Sequence, residues 1–192
     1  MVDNLGCSIL LEGTAPPWVN KLKWTPYETW LGGVKNYEIY RSDGETGAFQ
    51  LSRTTADSVQ WFLDDNLDVS VGKYHYFVRA FEGNGGAGAS STSNEIELFQ
   101  PPYIFLPNAF TPNGDGNNDT WGGFENFVKE IKFSIFNRWG QLIYSGAGNT
   151  ASWDGRFDGA PVPEGLYIYH VSYSGFQKGQ NYSLHGTISL IR

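Results

Sequence analysis

The run Tyr74-His75-Tyr76-Phe77-Val78-Arg79-Ala80 limits the fold more than any other stretch of the chain. Tyr74, Tyr76, Val78 and Ala80 are every second residue, and such a set shares one face only in an extended strand, where successive side chains point to opposite sides. The same period of two pairs Leu22 with Trp24 and Tyr37 with Ile39. In the second half it groups Ile131, Phe133 and Ile135, and it sets Leu166 and Ile168 opposite Tyr167, Tyr169 and Val171. Turn-forming breaks at Ser42-Asp43-Gly44 and Gly83-Asn84-Gly85-Gly86 separate the runs. No segment carries convincing helical spacing, and 24 glycines with aromatics at 16% suit short strands joined by tight turns. The expectation is an all-β chain of two tandem β-sandwich domains. Pro101-Pro102 cannot donate to a central ladder, so the boundary is placed there, giving domains 1–100 and 101–192.

Several function classes lose support at once. A formal net charge of −7 opposes the counterion-release term that drives binding to phosphate backbones, so nucleic acid is not an expected partner. No apolar run approaches the roughly 20 residues of a membrane helix, and membrane insertion is not expected. Cys7 is the single cysteine and has no partner for an intrachain disulfide. His75, His170 and His185 lie in or beside strand patterns without zinc-ligand spacing, and no nucleophile elbow or phosphate loop occurs. Asp64, Asp65 and Asp68 are read as solvated loop carboxylates. An enzyme is therefore not expected.

In the first half, Leu22-Lys23-Trp24, Tyr37 through Arg41, Phe62-Leu63-Asp64, Tyr74 through Ala80 and Ser93-Asn94-Glu95 occur in order. This series resembles a fibronectin type III domain over about residues 8–100. The resemblance makes Trp24 the core tryptophan of the second strand and Tyr74 the tyrosine whose hydroxyl caps a corner.

The stretch Leu106 through Trp121 opens as a strand and becomes a turn-dense loop. Asn113, Asp115, Asn117 and Asp119 recur at every second position. Two readings are open: a loop capped by its own Asn and Asp side chains, or alternate oxygens converging on Ca²⁺ as the one cofactor candidate. An EF-hand is excluded, since its sixth-position glycine falls on Asn118 and its twelfth-position glutamate on Phe124.

The same stretch, with Pro107, Asn108, Phe110, Thr111 and Pro112 leading into Asn113-Gly114-Asp115-Gly116, resembles the opening of the gliding-motility-associated C-terminal domain. That family is the type B sorting domain of type IX secretion substrates. Asn137-Arg138-Trp139-Gly140, Trp153-Asp154-Gly155, Glu164-Gly165 before Tyr167, and the closing Gly186 through Arg192 continue the resemblance over about residues 103–192. It implies a sandwich that marks a large surface protein for export across the outer membrane and holds it on the cell surface. The implied partners are the outer-membrane type IX translocon and associated attachment proteins, and a signal peptide is expected upstream of Met1. Plain readings stand beside these: Asn137–Gly140 as a hairpin turn with Arg138 over Trp139, Trp153 as a packed aromatic before a turn, and Val162–Gly165 as a turn entering a strand. A different class of function, an adhesive or carbohydrate-binding sandwich, rests on the abundance of aromatics.

Overall fold

A computed structural model describes residues 9–86 and 88–192; the readings of Met1 and Cys7 fall outside the described residues. The described residues form strands, turns and loops without a helix, so no helix is long and apolar enough to cross a membrane. The chain divides into two compact units, the first ending at Pro101 and the second running from Pro102 to Arg192.

The first unit holds β1 (Leu11–Thr14), β2 (Asn20–Trp24), β3 (Val34–Asp43), β4 (Gln50–Ala56), β5 (Trp61–Asp64), β6 (Lys73–Glu82), β7 (Ser90–Thr92) and β8 (Ile96–Phe99). One sheet runs β1-β2-β5; the other runs β4-β3-β6-β7, with β8 also pairing β6. A three-stranded sheet thus faces a five-stranded one, as expected for a β-sandwich. The alternating faces meet in one core of Trp24, Tyr37, Ile39, Tyr76 and Val78, with the Trp24 and Tyr37 rings 5.7 Å apart. The Tyr74 hydroxyl lies 2.7 Å from the carbonyls of Asp68 and Val71 and donates to them, closing the turn before β6.

Asp64 departs from its sequence reading. It ends β5 and is 3% exposed, because its place opposite Asn20 turns it inward. Arg41 Nη1 donates to both its oxygens at 3.1 and 3.0 Å, and the Tyr76 hydroxyl donates at 2.7 Å. Asn20 Nδ2 in turn donates to the Tyr76 hydroxyl, and Gln100 Nε2 donates to Asn20 Oδ1. A buried carboxylate is tolerated here because it is paired and fully hydrogen-bonded. Asp65 and Asp68 are exposed, in keeping with solvated carboxylates. Asp64→Ala leaves the Arg41 guanidinium without its buried partner; we expect a loss of roughly 3 kcal/mol in urea denaturation, against less than about 0.5 kcal/mol for Asp65→Ala.

The second unit holds β9 (Tyr103–Phe105), β10 (Ala109–Phe110), β11 (Phe124–Asn126), β12 (Glu130–Phe136), β13 (Leu142–Ala147), β14 (Arg156–Phe157), β15 (Ala160–Pro161), β16 (Gly165–Ser174) and β17 (Asn181–Leu190). The main sheet runs β10-β17-β16-β12-β13. Its neighbours are antiparallel except β10, which joins β17 in parallel. Ile131, Phe133, Ile135, Val171, Ile188 and Leu190 line the inner face. The β9–β11 ribbon, the β14–β15 hairpin and a bridge between Trp121 and Trp153 supply the facing groups. Both indoles are buried: Trp121 packs edge-on to Phe133 at 5.9 Å and Trp153 edge-on to Tyr167 at 5.0 Å.

Candidate functional site

The motif residues of the second unit gather around the end of β17. The opening segment forms a strap beside that strand: the carbonyls of Asn108 and Phe110 accept from the backbone N–H of Ser189 (2.9 Å) and Ile191 (3.2 Å). The Pro107 carbonyl accepts from the Trp121 indole at 2.7 Å. Phe110 packs on Trp153, ring centroids 5.2 Å apart, and the Trp153 indole donates to the Arg156 carbonyl at 2.9 Å. Asp154 caps the next turn by accepting from the Arg156 N–H.

Arg192 ties this arrangement together. Its backbone N–H donates to Glu164 Oε1 at 3.0 Å, and its guanidinium donates to the carbonyls of Val162 (2.6 Å) and Gly155 (3.4 Å). The Tyr167 hydroxyl donates to the Pro163 carbonyl at 2.6 Å, holding the turn that leads into Gly165. Burial pushes the Tyr167 phenol above its ordinary 10, against the pull of the Arg192 and Arg138 cations. Arg138 follows Phe136, which stands opposite Ile168, at the same end of the sheet as the Gly165–Leu190 pair that leads to Arg192. There Asn137 closes the β12–β13 turn, its side-chain oxygen accepting from the N–H groups of Trp139 and Gln141, while Gly140 donates to the Asn137 carbonyl. The Arg138 guanidinium lies 5.6 Å from the Trp139 ring centroid, and that indole is 83% exposed.

Gly155 occupies a position that excludes a side chain. Its φ is +75°, and a Cβ there would meet Pro112 Cγ at 3.0 Å and Leu190 Cδ1 at 3.1 Å, so both the backbone and the space favour glycine.

The Asn113–Asp119 loop spends its oxygens on itself. Asp119 accepts from the N–H groups of Gly114 (2.7 Å) and Gly116 (2.8 Å). Asp115 accepts from the Asn117 N–H, and Asn113 accepts from the Asp115 N–H. Asn118 occupies the left-handed region at φ +51°, and the Thr111 N–H donates to its carbonyl at 2.8 Å. Asp115 and Asp119 are the loop's only two acids, and among the described residues no group of three or more His, Cys, Asp or Glu side chains gathers. These bonds give the loop the pattern of a self-capped turn.

Residues 104–190 match the family model of the CHU_C type IX secretion signal domain. This match to a signal domain fills almost the whole second unit. No curated protein matches the chain. Among solved structures it is similar to pectate lyase PelI from Erwinia chrysanthemi in complex with tetragalacturonic acid, at 21% identity and a TM-score of 0.40 over 47% of this chain and 28% of that one. It is also similar to the FN1–FN3 domains of chicken CNTN1, at 11% identity and a TM-score of 0.39 over 96% of this chain and 65% of that one. The chain thus spans less than a third of the lyase.

Within the signal domain, Phe110, Pro112, Trp153, Gly155, Glu164 and Tyr167 converge on the last strand, whereas the Asn113–Asp119 loop closes on its own amides. Sequence reasoning assigns Arg192 no role, although it stands in the closing motif; nothing in its spacing announces the three acceptors that fold back on it. The first unit has a depression of about 940 Å³ between β4 and β5, with Arg41, Asp43 and Asp64 in its lining. Those three are committed to one another as ion pairs. Of the tryptophans that suggest sugar stacking, Trp24, Trp121 and Trp153 are core residues.

Gly155→Ala should destabilise the chain by at least about 1 kcal/mol, read by thermal melting, whereas Gly159→Ala, whose added Cβ meets open space, bears only the cost of its positive φ. Hydrogen bonds from Gly114 and then Gly116 hold the Asp119 carboxyl below its ordinary 3.8. Its contribution is therefore complete above that value and lost as pH falls through the depressed folded one. The melting-temperature gap between the natural chain and Asp119→Asn should be constant from pH 7 to 5 and close below pH 3, and chelator should leave both melting temperatures unchanged.

Proposed function

We propose that the chain is the sorting and attachment module of a surface protein carried by the type IX secretion system, with the first unit a spacer sandwich and neither unit catalytic. The family match fits a self-contained unit whose motif residues organise one end of a sheet. What supports the non-catalytic part is that these residues spend their polar atoms on backbone partners: Tyr167 on Pro163, Arg192 on Val162 and Gly155, Asp154 on Arg156. A surface that offers shape and hydrogen-bonded rigidity serves recognition by another protein. Under this reading the parent is an adhesin or gliding-motility protein of a Bacteroidetes-type cell, and the translocon with its attachment proteins is the partner.

To test it, the full 192 residues are placed behind a signal peptide and a folded reporter in a type IX competent bacterium. The reporter should reach the cell surface or medium, and should stay in the periplasm in a translocon-deficient strain. Retention in the competent strain removes the proposal.

A further inference from the structure

Antiparallel sheets with one solvated face ordinarily alternate apolar inward and polar outward. The signal domain keeps this rule over most of its main sheet and breaks it at one end. On β16, Tyr167 and Val171 point inward, and the outward residues Leu166 and Ile168 are 64% and 47% exposed. Ile168 stands opposite Phe136 of β12, and Phe136 stands opposite Leu142 of β13, itself 47% exposed. Three neighbouring strands thus carry one continuous apolar row across the outside of the sheet. At the next outward position along β16 and β12 the partners are His170 and Ser134, and the row gives way to polar groups.

The row runs toward the β12–β13 turn, where Trp139 projects. Arg138 lies over that ring and makes no ion pair with any described residue. A large exposed indole and an unpaired guanidinium are the residue types enriched at interface hot spots, and a contiguous exposed apolar band marks an interaction site. None of them is needed by the fold: the Asn137 cap holds the turn through backbone groups, and the core lies on the opposite face.

We propose that this outer end, made of Trp139, Arg138, Phe136, Leu142, Ile168 and Leu166, is the surface through which the signal domain is gripped by a protein component of the type IX machinery. The partner surface supplies an apolar pocket for the indole and aliphatic row and a carboxylate for Arg138. This rests on the sorting reading above. A second copy of the chain would be the other occupant of such a face, and the experiment separates it.

The reporter fusion carrying all 192 residues is compared in three forms. One is unmodified; one carries Trp139→Ser, Leu142→Thr and Ile168→Thr; one carries Phe105→Thr and Phe124→Thr. The last pair is a control of similar apolar loss on the exposed β9–β11 ribbon, with rings 6.4 Å apart. The threonines retain strand preference. The triple variant should deliver at least tenfold less reporter outside the cell and accumulate it in the periplasm, with the purified chain melting within a few degrees of the natural one. The control should export normally. Arg138→Glu, which removes no hydrogen bond, should lower export several-fold at unchanged melting temperature, so the proposal does not depend on how the triple variant folds.

Normal export of both the triple variant and Arg138→Glu overturns the surface and leaves the sorting reading standing. Equal loss in the control pair overturns it as well, since general apolar character would then be what matters. Failure of the unmodified fusion removes the sorting reading and this surface with it. Sedimentation of the natural chain as a dimer that the triple variant abolishes, with export intact, assigns the face to self-association and overturns the proposal.

Discussion

The last strand of the chain is an interior strand of its sheet. β17 has β16 on one side, paired residue for residue from Asn181–Ser174 to Leu190–Gly165, and β10 on the other. Its inward side chains Ile188 and Leu190 are buried in the core. The motif segments of the second unit are arranged around that strand: the strap at Asn108–Phe110 runs beside it, the Gly155 turn packs against Leu190, and Glu164 receives the Arg192 N–H. Non-local pairing of this kind contributes only after its loop-closure entropy has been overcome. The β10–β17 contact joins positions close to the two ends of the unit, so the sheet closes only when both ends are present.

This arrangement explains the residue choices of the motif without assigning them a ligand. Phe110 and Trp153 fill the space under β17, and Gly155 is small because Leu190 and Pro112 occupy the room a side chain would need. The Asn113–Asp119 loop is polar because its backbone N–H groups point at its own carboxylates. Buried backbone groups must find partners, and here Asn108, Phe110, Val162 and Gly155 all supply carbonyls to the final residues. The motif is largely a description of how the C-terminal strand is held.

The alternating runs make the sheets legible in the sequence, and both cores obey them: Tyr74, Tyr76, Val78 and Ala80 in one unit, Ile131, Phe133 and Ile135 in the other. Period two reports which face a residue takes, and that is a local property. It does not report what lies across the sheet. Asp64 reads as a loop carboxylate because an Asp pair resembles a turn; its burial depends on Arg41 reaching over from β3 and Tyr76 from β6, contacts 23 and 12 residues away in the chain. Arg192 is silent in the sequence for the same reason, since its acceptors lie 28 to 37 residues upstream. The Asn/Asp loop is ambiguous because the same alternation of oxygens suits a cation or a set of amides, and only the loop's path distinguishes them.

The pattern also carries a signal that is easy to pass over. Leu166 and Ile168 form the face opposite Tyr167 and Val171, and with an apolar set on both sides the alternation alone cannot say which is buried. The structure assigns the aromatic side to the core and leaves the aliphatic side in water. An aliphatic face costs solubility and adds nothing to a core it does not touch, so packing cannot account for it. The same holds for Trp139, whose turn is closed by Asn137 whichever side chain stands at position 139. Once the inward motif residues are explained by the holding of β17, these outward apolar groups remain without a role in packing, and they occupy one contiguous end of one sheet, the surface proposed above for a partner.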